Sequence, residues 1–209
     1  MGVTVHLVLV RHGVASGVDG RCIGHTDVAL SAAGAQAMRR LAHSWPELSD
    51  IGQPARIVAS DLRRATESAT IFAERWDLAI EYDARLRELD FGEWDGREWS
   101  ALEAEDGARL RAWMDHWTDA KPPGGERLRE LAARAAQWLD EARRHASAAE
   151  TVVVVSHAGW IRAAVCHLFA RPATELFDHP AAHARATIIR LDAGGPTLVA
   201  SNAASISDL

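Results

Sequence analysis

The sequence predicts an α/β fold with a mostly parallel sheet and helices on both faces, and three observations lead there. Two apolar runs rich in β-branched residues, Val5-His6-Leu7-Val8-Leu9-Val10 and Thr151-Val152-Val153-Val154-Val155, are short and uninterrupted, as strands buried on both faces are. Between them, apolar stripes at three- and four-residue steps alternate with short strand-like segments, the pattern of a sheet covered by helices. Each of the two runs also ends on a histidine, in Arg11-His12-Gly13 and in Ser156-His157-Ala158-Gly159. The carboxyl edge of such a sheet is where ligands bind.

The elements follow in order. A first strand at about 3–10 enters a glycine-containing loop at 13–27. Ser31 caps a helix whose inner face is Ala35, Met38, Leu41 and Trp45, with Pro46 beyond its end. A second strand at 55–59 leads to Ser60, read as the cap of a helix carrying Leu62, Ala65, Ala69, Phe72 and Trp76 inward. A short strand at 78–82 precedes an extended segment with Leu86, Glu88 and Leu89. From Gly92 to Pro123 the pattern loosens, with Leu110, Trp113 and Trp117 on one helical face, and this stretch is read as a small helical cap. Pro122-Pro123-Gly124-Gly125 breaks the chain before a long helix at about 126–145, which buries Leu128, Leu131, Ala135, Trp138 and Ala142. The strand at 151–155 follows, then a helix starting near Gly159. Segments 186–191 and 197–200, joined by Ala193-Gly194-Gly195, read as a hairpin. The expected organisation is a single domain over 1–209 with the cap inserted at about 92–123.

Composition narrows the function. Hydrophobic residues make up 48% and charged residues 25%, ordinary values for a soluble globular protein. The net charge of −6 argues against nucleic acid or an anionic membrane as partner. The two cysteines, Cys22 and Cys166, form no disulfide framework or metal-ligand cluster. No signal-peptide pattern or apolar stretch of transmembrane length is present, so a cytoplasmic location is the default expectation. The expected partner is a small phosphorylated metabolite, and a homodimer is left open.

The chemistry lies at the strand ends. With 10 His in the chain, a lone histidine after a strand is normally a packing residue, and His6 is given no role. His12 and His157 stand apart because their setting repeats. A neutral histidine attacks phosphorus with one ring nitrogen while the other gives its proton to a fixed acceptor. The transferred group needs several fixed donors, a task suited to arginine. Arg11 adjoins His12. Another arginine comes from Ser60-Asp61-Leu62-Arg63-Arg64-Ala65, where a helix starts right after a strand at the same edge. One of Arg63 and Arg64 is functional and the other lies on the surface. Glu88, flanked by apolar residues that would bury it and raise its pKa, is the candidate proton donor. No Asp/Glu/His set at metal-ligand spacing lies near these residues.

Arg-His-Gly after the first strand, Ser-x-Leu-x-Arg-Ala, Glu-x-x-Phe-Gly-x-Trp-x-Gly, Gly-Gly-Glu and Val-Ser-His-Ala-Gly occur in one order over about residues 5–168. In that order they resemble the histidine phosphatase superfamily, the phosphoglycerate mutase-like proteins. The resemblance implies a three-layer α/β/α sandwich and a phosphomonoesterase without metal or other cofactor. It implies His12 as nucleophile, Arg11, Arg64 and His157 as phosphate ligands and Glu88 as proton donor. Arg64, directly before Ala65, matches the family position.

The segment Gly20-Arg21-Cys22-Ile23-Gly24-His25-Thr26-Asp27-Val28-Ala29-Leu30-Ser31 resembles the α-ribazole phosphatase branch, which acts in cobalamin biosynthesis. The expected substrate is therefore α-ribazole 5′-phosphate. A broad-specificity or sugar-bisphosphate phosphatase comes next, a mutase third, and a non-catalytic phospho-ligand binder last. After Gly13 the chain reads Val14-Ala15-Ser16-Gly17, where many members have Glu-Thr and then Asn, and Ser16 is taken as the substitute ligand. Gly24 and Ala158 complete the candidate substrate contacts. Glu126 is read chiefly as a helix-start acid. Among Trp94, Trp99, Trp113 and Trp117, the default role is core packing of the cap. The sharper expectation is that one of them stacks on an aromatic leaving group.

Overall fold

The structure, a computed structural model, describes residues 4–45, 51–145, 147 and 149–207. The expectations that touch Val3 and Pro46 lie outside these residues. In chain order the elements are β1 (Val5–Arg11), α1 (Ala32–His43), β2 (Arg56–Ala59), α2 (Arg63–Trp76), β3 (Ile80–Tyr82), α3 (Trp99–Asp115), α4 (Leu128–His145), β4 (Glu150–Ser156), α5 (Ala158–Leu168), β5 (Ala186–Asp192) and β6 (Gly195–Ala203). Short 3-10 turns at Ala84–Leu86, Gly92–Trp94 and Ala173–Asp178 link them.

The strands form one sheet in the order β3-β2-β4-β1-β5-β6. The first four run parallel, while β5 and β6 add an antiparallel edge. Alternation along the strands separates the two faces. Val8, Val10, Val153 and Val155 pack with Met38 and Leu41 of α1 and with Ala65, Ala69 and Phe72 of α2. Leu7, Leu9, Val152 and Val154 pack with Leu131 and Ala135 of α4 and with Ile161 and Ala164 of α5. The result is a three-layer α/β/α sandwich. Both central strands are buried from end to end apart from Arg11, which explains why their sequences show no polar alternation.

Local reasons for the elements match the chemistry of their ends. The Ser31 hydroxyl accepts from Gly34 N at 2.9 Å and caps α1. The start of α2 departs from expectation. Its N-cap is Leu62, and Ser60 lies outside the helix, accepting from Leu62 N at 3.3 Å. α4 starts at Leu128, two residues later than its pattern suggests. In the cap, α3 is broken at Asp106 and covers a small core of its own made by Cys22, Trp94, Leu102 and Leu110.

The parallel pairing of β1 with β4 and of β4 with β2 brings three carboxyl ends to one edge. His12 N donates to Ser156 O at 3.0 Å, and Ser60 N donates to Val155 O at 3.0 Å. The chain leaving β1 passes so close to α1 that side chains are excluded. A Cβ on Gly13 would lie 2.6 Å from Gly34 O, and one on Gly34 would strike the main chain of Val14. Gly34→Ala should therefore force backbone apart and destabilise by about 1–3 kcal/mol. Chemical denaturation reads this directly, and an unchanged midpoint would disprove the contact.

Candidate active site

His12 is held in one tautomer by its own neighbourhood. Its Nδ1 donates to the Gly13 carbonyl at 2.7 Å, which leaves the Nε2 lone pair free. Nε2 accepts from Arg64 Nε at 3.3 Å. Burial, followed by the Arg64 and Arg11 charges, pushes the His12 pKa well below 6.5, so the ring is neutral at pH 7. The Gly13 amide donates to the Ser68 hydroxyl at 3.1 Å, which ties the histidine's loop to α2.

Arg64 is only 2% exposed, which is unusual for an arginine. Its Nη2 donates to Gly24 O at 2.6 Å and its Nη1 to Thr26 O at 2.9 Å. Neutral carbonyls thus satisfy its hydrogen bonds while no carboxylate pairs with its charge among the described residues. That charge remains available to an anion. The loop carrying those carbonyls is clasped by Asp95, whose oxygens accept from Gly24 N, Thr26 N and the Thr26 hydroxyl. Burial pushes the Asp95 pKa up, but the bonds from Thr26, Gly24 and His25 prevail and hold it below the usual carboxylate range. Arg63 lies on the surface instead, its Nε bonded to Glu67 at 2.6 Å.

Arg11 extends from the end of β1 and donates from Nη1 to Ala181 O at 2.8 Å, while its Nε is buried without a partner among the described residues. Burial is the main reason its pKa falls below the usual arginine value. His157 is wholly buried, and its ring centroid stands 5.0 Å from that of His12. Its Nε2 lies 2.9 Å from the Ser60 hydroxyl and its Nδ1 has no partner among the described residues. Ser60 accepts from Leu62 N and has one hydrogen to give, so it fits as donor to Nε2, which puts the ring proton on Nδ1. The serine read from sequence as a helix cap thus orients a histidine.

Glu88 reaches the start of α5. Its Oε1 accepts from Leu89 N and Gly159 N, both at 3.0 Å. Its segment is clamped from behind by Arg134 of α4, which donates to the carbonyls of Arg85, Arg87 and Glu88 at 2.6–2.8 Å. Glu126 holds Arg134 through both carboxylate oxygens, at 2.8 and 2.9 Å. This corrects the reading of Glu126 as a helix-start acid: α4 begins after it, and its partner lies two turns away.

A cavity of about 380 Å³ opens on this group. Arg11, His12, Arg64, Glu88, Ala158 and His183 line its polar end, and Leu89, Phe91, Trp99, Trp113, Trp117 and Phe177 line much of the rest. Trp94 keeps the packing role, buried with its Nε1 donating to Asp106 at 2.7 Å. His157 is not among the lining residues although its ring stands against that of His12, Gly24 acts through its carbonyl on Arg64, and Ser16 is exposed outside the lining. His183, which the sequence reading missed, has its ring centroid 5.2 Å from that of His12. It lies in a loop after α5 with no motif to mark it. Among the described residues no group of three or more metal-ligating side chains occurs, and guanidinium groups carry the positive charge of the site. No described helix is long and apolar enough to cross a membrane.

A site of this kind, a neutral histidine beside one buried and one half-buried arginine with a carboxylate lining the same cavity, defines a phosphate-ester hydrolase of the α/β class. The model of the histidine phosphatase superfamily (branch 1) matches residues 7–204, and the chain belongs to that family. It is a phosphoric monoester hydrolase. The glucosyl-3-phosphoglycerate phosphatase of Mycobacterium tuberculosis is 37% identical over 175 residues, covering 79% of this chain and 76% of the relative. The adenosylcobalamin/alpha-ribazole phosphatase of Escherichia coli is 28% identical over 180 residues, covering 83% of each. The crystal structure of the alpha-ribazole phosphatase from Shigella flexneri superposes with a TM-score of 0.88 at 25% identity, covering 96% of this chain and 98% of that one.

Two predictions follow from the geometry. A Cβ on Gly159 would strike Glu88 Oε1, the movable end of a side chain, and would otherwise meet only ordinary contacts. Gly159→Ala should displace the carboxylate at little cost in stability, lowering turnover of alkyl phosphates by roughly 10²–10⁴-fold. Full activity in that variant would exclude a catalytic position for Glu88. The second concerns pH. His12, His157 and His183 all have pKa values lowered by burial when folded, but titrate near 6.5 when unfolded. The unfolded chain therefore binds more protons below 6.5, so their contribution to stability is complete above pH 6.5 and is lost as pH falls below it. Denaturant titrations between pH 7 and 5 should show a falling midpoint, and a flat profile would refute neutral burial of these rings.

Proposed function

We propose that the protein hydrolyses a phosphomonoester in two steps through a phosphohistidine on His12. The observation that carries this reading is the Nδ1 bond of His12 to the Gly13 carbonyl, which leaves Nε2 as a neutral nucleophile beside Arg64. In the first step Nε2 bonds to phosphorus, the ester P–O bond breaks, and Glu88 gives its proton to the leaving oxygen. In the second, Glu88 takes a proton from water as the water oxygen bonds to phosphorus and the P–N bond breaks. Arg11, Arg64 and the unpartnered Nδ1 of His157 balance the charge on the phosphoryl oxygens. No step calls on a metal.

The substrate reading is α-ribazole 5′-phosphate. Its support is the aromatic lining of the cavity next to the phosphoryl end, which suits a flat, apolar base better than a polyhydroxylated sugar. Glucosyl-3-phosphoglycerate is the second reading, favoured by the 37% identity to the mycobacterial enzyme.

One experiment tests both levels. Rapid quench with labelled substrate, in the presence of a chelator, should trap an acid-labile, base-stable phosphoenzyme in the wild type and none in His12→Ala. The adduct persisting in His12→Ala would refute the nucleophile, and loss of turnover on chelation would refute the metal-free route. In a parallel substrate panel, α-ribazole 5′-phosphate should give the highest kcat/KM. A higher value for glucosyl-3-phosphoglycerate would move the assignment to the second reading.

A further inference from the structure

The cavity has an unused polar group at its catalytic end. From the loop after Gly13 the lining takes Ala15, Val18, Arg21 and Ile23, while Ser16 is exposed outside it, and Arg21 is already engaged by the Gly96 carbonyl and by Glu98. Ala15 and Val18, the lining residues of that loop nearest in sequence to His12, bring no side-chain donor to the wall. Another part of the wall comes from residues 181–185, between α5 and β5, through His183. This stretch is fastened to the end of β1 at three points. Arg11 Nη1 donates to Ala181 O, Arg11 N donates to Arg185 O at 3.2 Å, and Ala184 N donates to Arg11 O at 3.1 Å. Ala184 has φ of +51°, a left-handed conformation that an alanine adopts only when its surroundings impose it.

The consequence of that fastening is the position of His183. Its ring lines the cavity, tilted 60° to the His12 ring at a centroid distance of 5.2 Å. Unlike His12 and His157, it makes no ring hydrogen bond within the protein among the described residues. A half-buried imidazole with both nitrogens open, beside the nucleophile, has polar capacity that only water or ligand can use.

We propose that His183 is a further catalytic residue, donating a ring N–H to an oxygen of the phosphoryl group as that group passes to and from His12. The proposal rests on the reading of His12 as nucleophile. It gives the anion a neutral donor in addition to the guanidinium groups of Arg11 and Arg64. Burial, then the charges of Arg11 and Arg64, lower the His183 pKa to about 4, so the ring is a neutral donor rather than a third cation at pH 7. It is not a competing nucleophile: no fixed acceptor holds either of its tautomers, whereas the Gly13 carbonyl holds that of His12. The main chain that carries the ring is held by two backbone hydrogen bonds and by the Arg11 side chain, so the ring needs little movement when charge develops.

Two substitutions separate donation from ring packing. His183→Gln keeps a donor and loses the ring, while His183→Phe keeps a ring and loses the donor. The expected result is that His183→Phe weakens inhibition by orthovanadate and lowers kcat/KM by about 10–100-fold, and that His183→Gln stays within a few-fold of the wild type. Both should melt close to the wild type. Vanadate inhibition of His183→Phe within twofold of the wild type would overturn the proposal. So would an active His183→Phe with an inactive His183→Gln, which would mean that the ring only packs against His12. The vanadate arm reads equilibrium binding and stands apart from the quench experiment. A wild type without phosphohistidine would fail the His12 reading, whereas an unchanged His183→Phe would fail this one alone.

Discussion

The parallel pairing of β1 with β4 is the constraint on which the site depends. Val5 through Arg11 match Glu150 through Ser156 one to one. Because the strands run the same way, His12 and His157 leave the sheet side by side although 145 positions separate them. A shift of one residue would turn the side chains of one strand to the opposite face. It would also place the apolar sets of Leu7 and Val8 against the wrong helices. The register is therefore enforced by both cores, and the closeness of the histidines follows from packing that has no direct part in chemistry.

Desolvation then decides how these residues behave. Two histidines and a guanidinium lie buried at one sheet edge, where a cation would ordinarily be costly. The histidines respond by staying neutral. Arg64 stays charged and is repaid by the carbonyls of Gly24 and Thr26. That arrangement leaves positive charge unpaired in a confined space, the condition under which an anion is bound most strongly. The acidic side chains nearby serve mainly to hold others. Asp95 fixes the loop that supplies those carbonyls, and Glu126 fixes Arg134, which fixes the main chain carrying Glu88. The protein as a whole is acidic with a net charge of −6, yet its site is locally cationic because these acids face away from the cavity.

Much of this was legible in the chain itself. Strands buried on both faces announce themselves by uninterrupted β-branched runs, so β1, β4 and the residues at their ends were readable. The helices α1, α2 and α4 were readable from three- and four-residue spacing. Arg64 and Glu88 were readable from motif order. Other roles were hidden because they depend on partners far away in sequence. Ser60 resembles a helix cap locally, and only the approach of His157 gives it a different partner. Glu126 resembles a helix-start acid, and only the turn geometry of α4 presents Arg134 to it. Ser16 was chosen for its polarity, but the bridge between Ala15 and Leu30 sets the loop so that Ala15 lines the cavity and Ser16 does not.

The sequence by itself determined the fold class, the order of the elements and the chemical types gathered at the sheet edge, since those follow from local periodicity and from what each side chain is able to do. Only the tertiary structure decided which nitrogen of His12 is free, that Arg64 is charged without an acidic partner, and that three tryptophans line the cavity while Trp94 packs the cap. It also decided that His183 stands beside His12. The physical reason is that tautomer, net local charge and exposure are set by groups brought together through long-range packing, and no spacing along the chain encodes the distance between them.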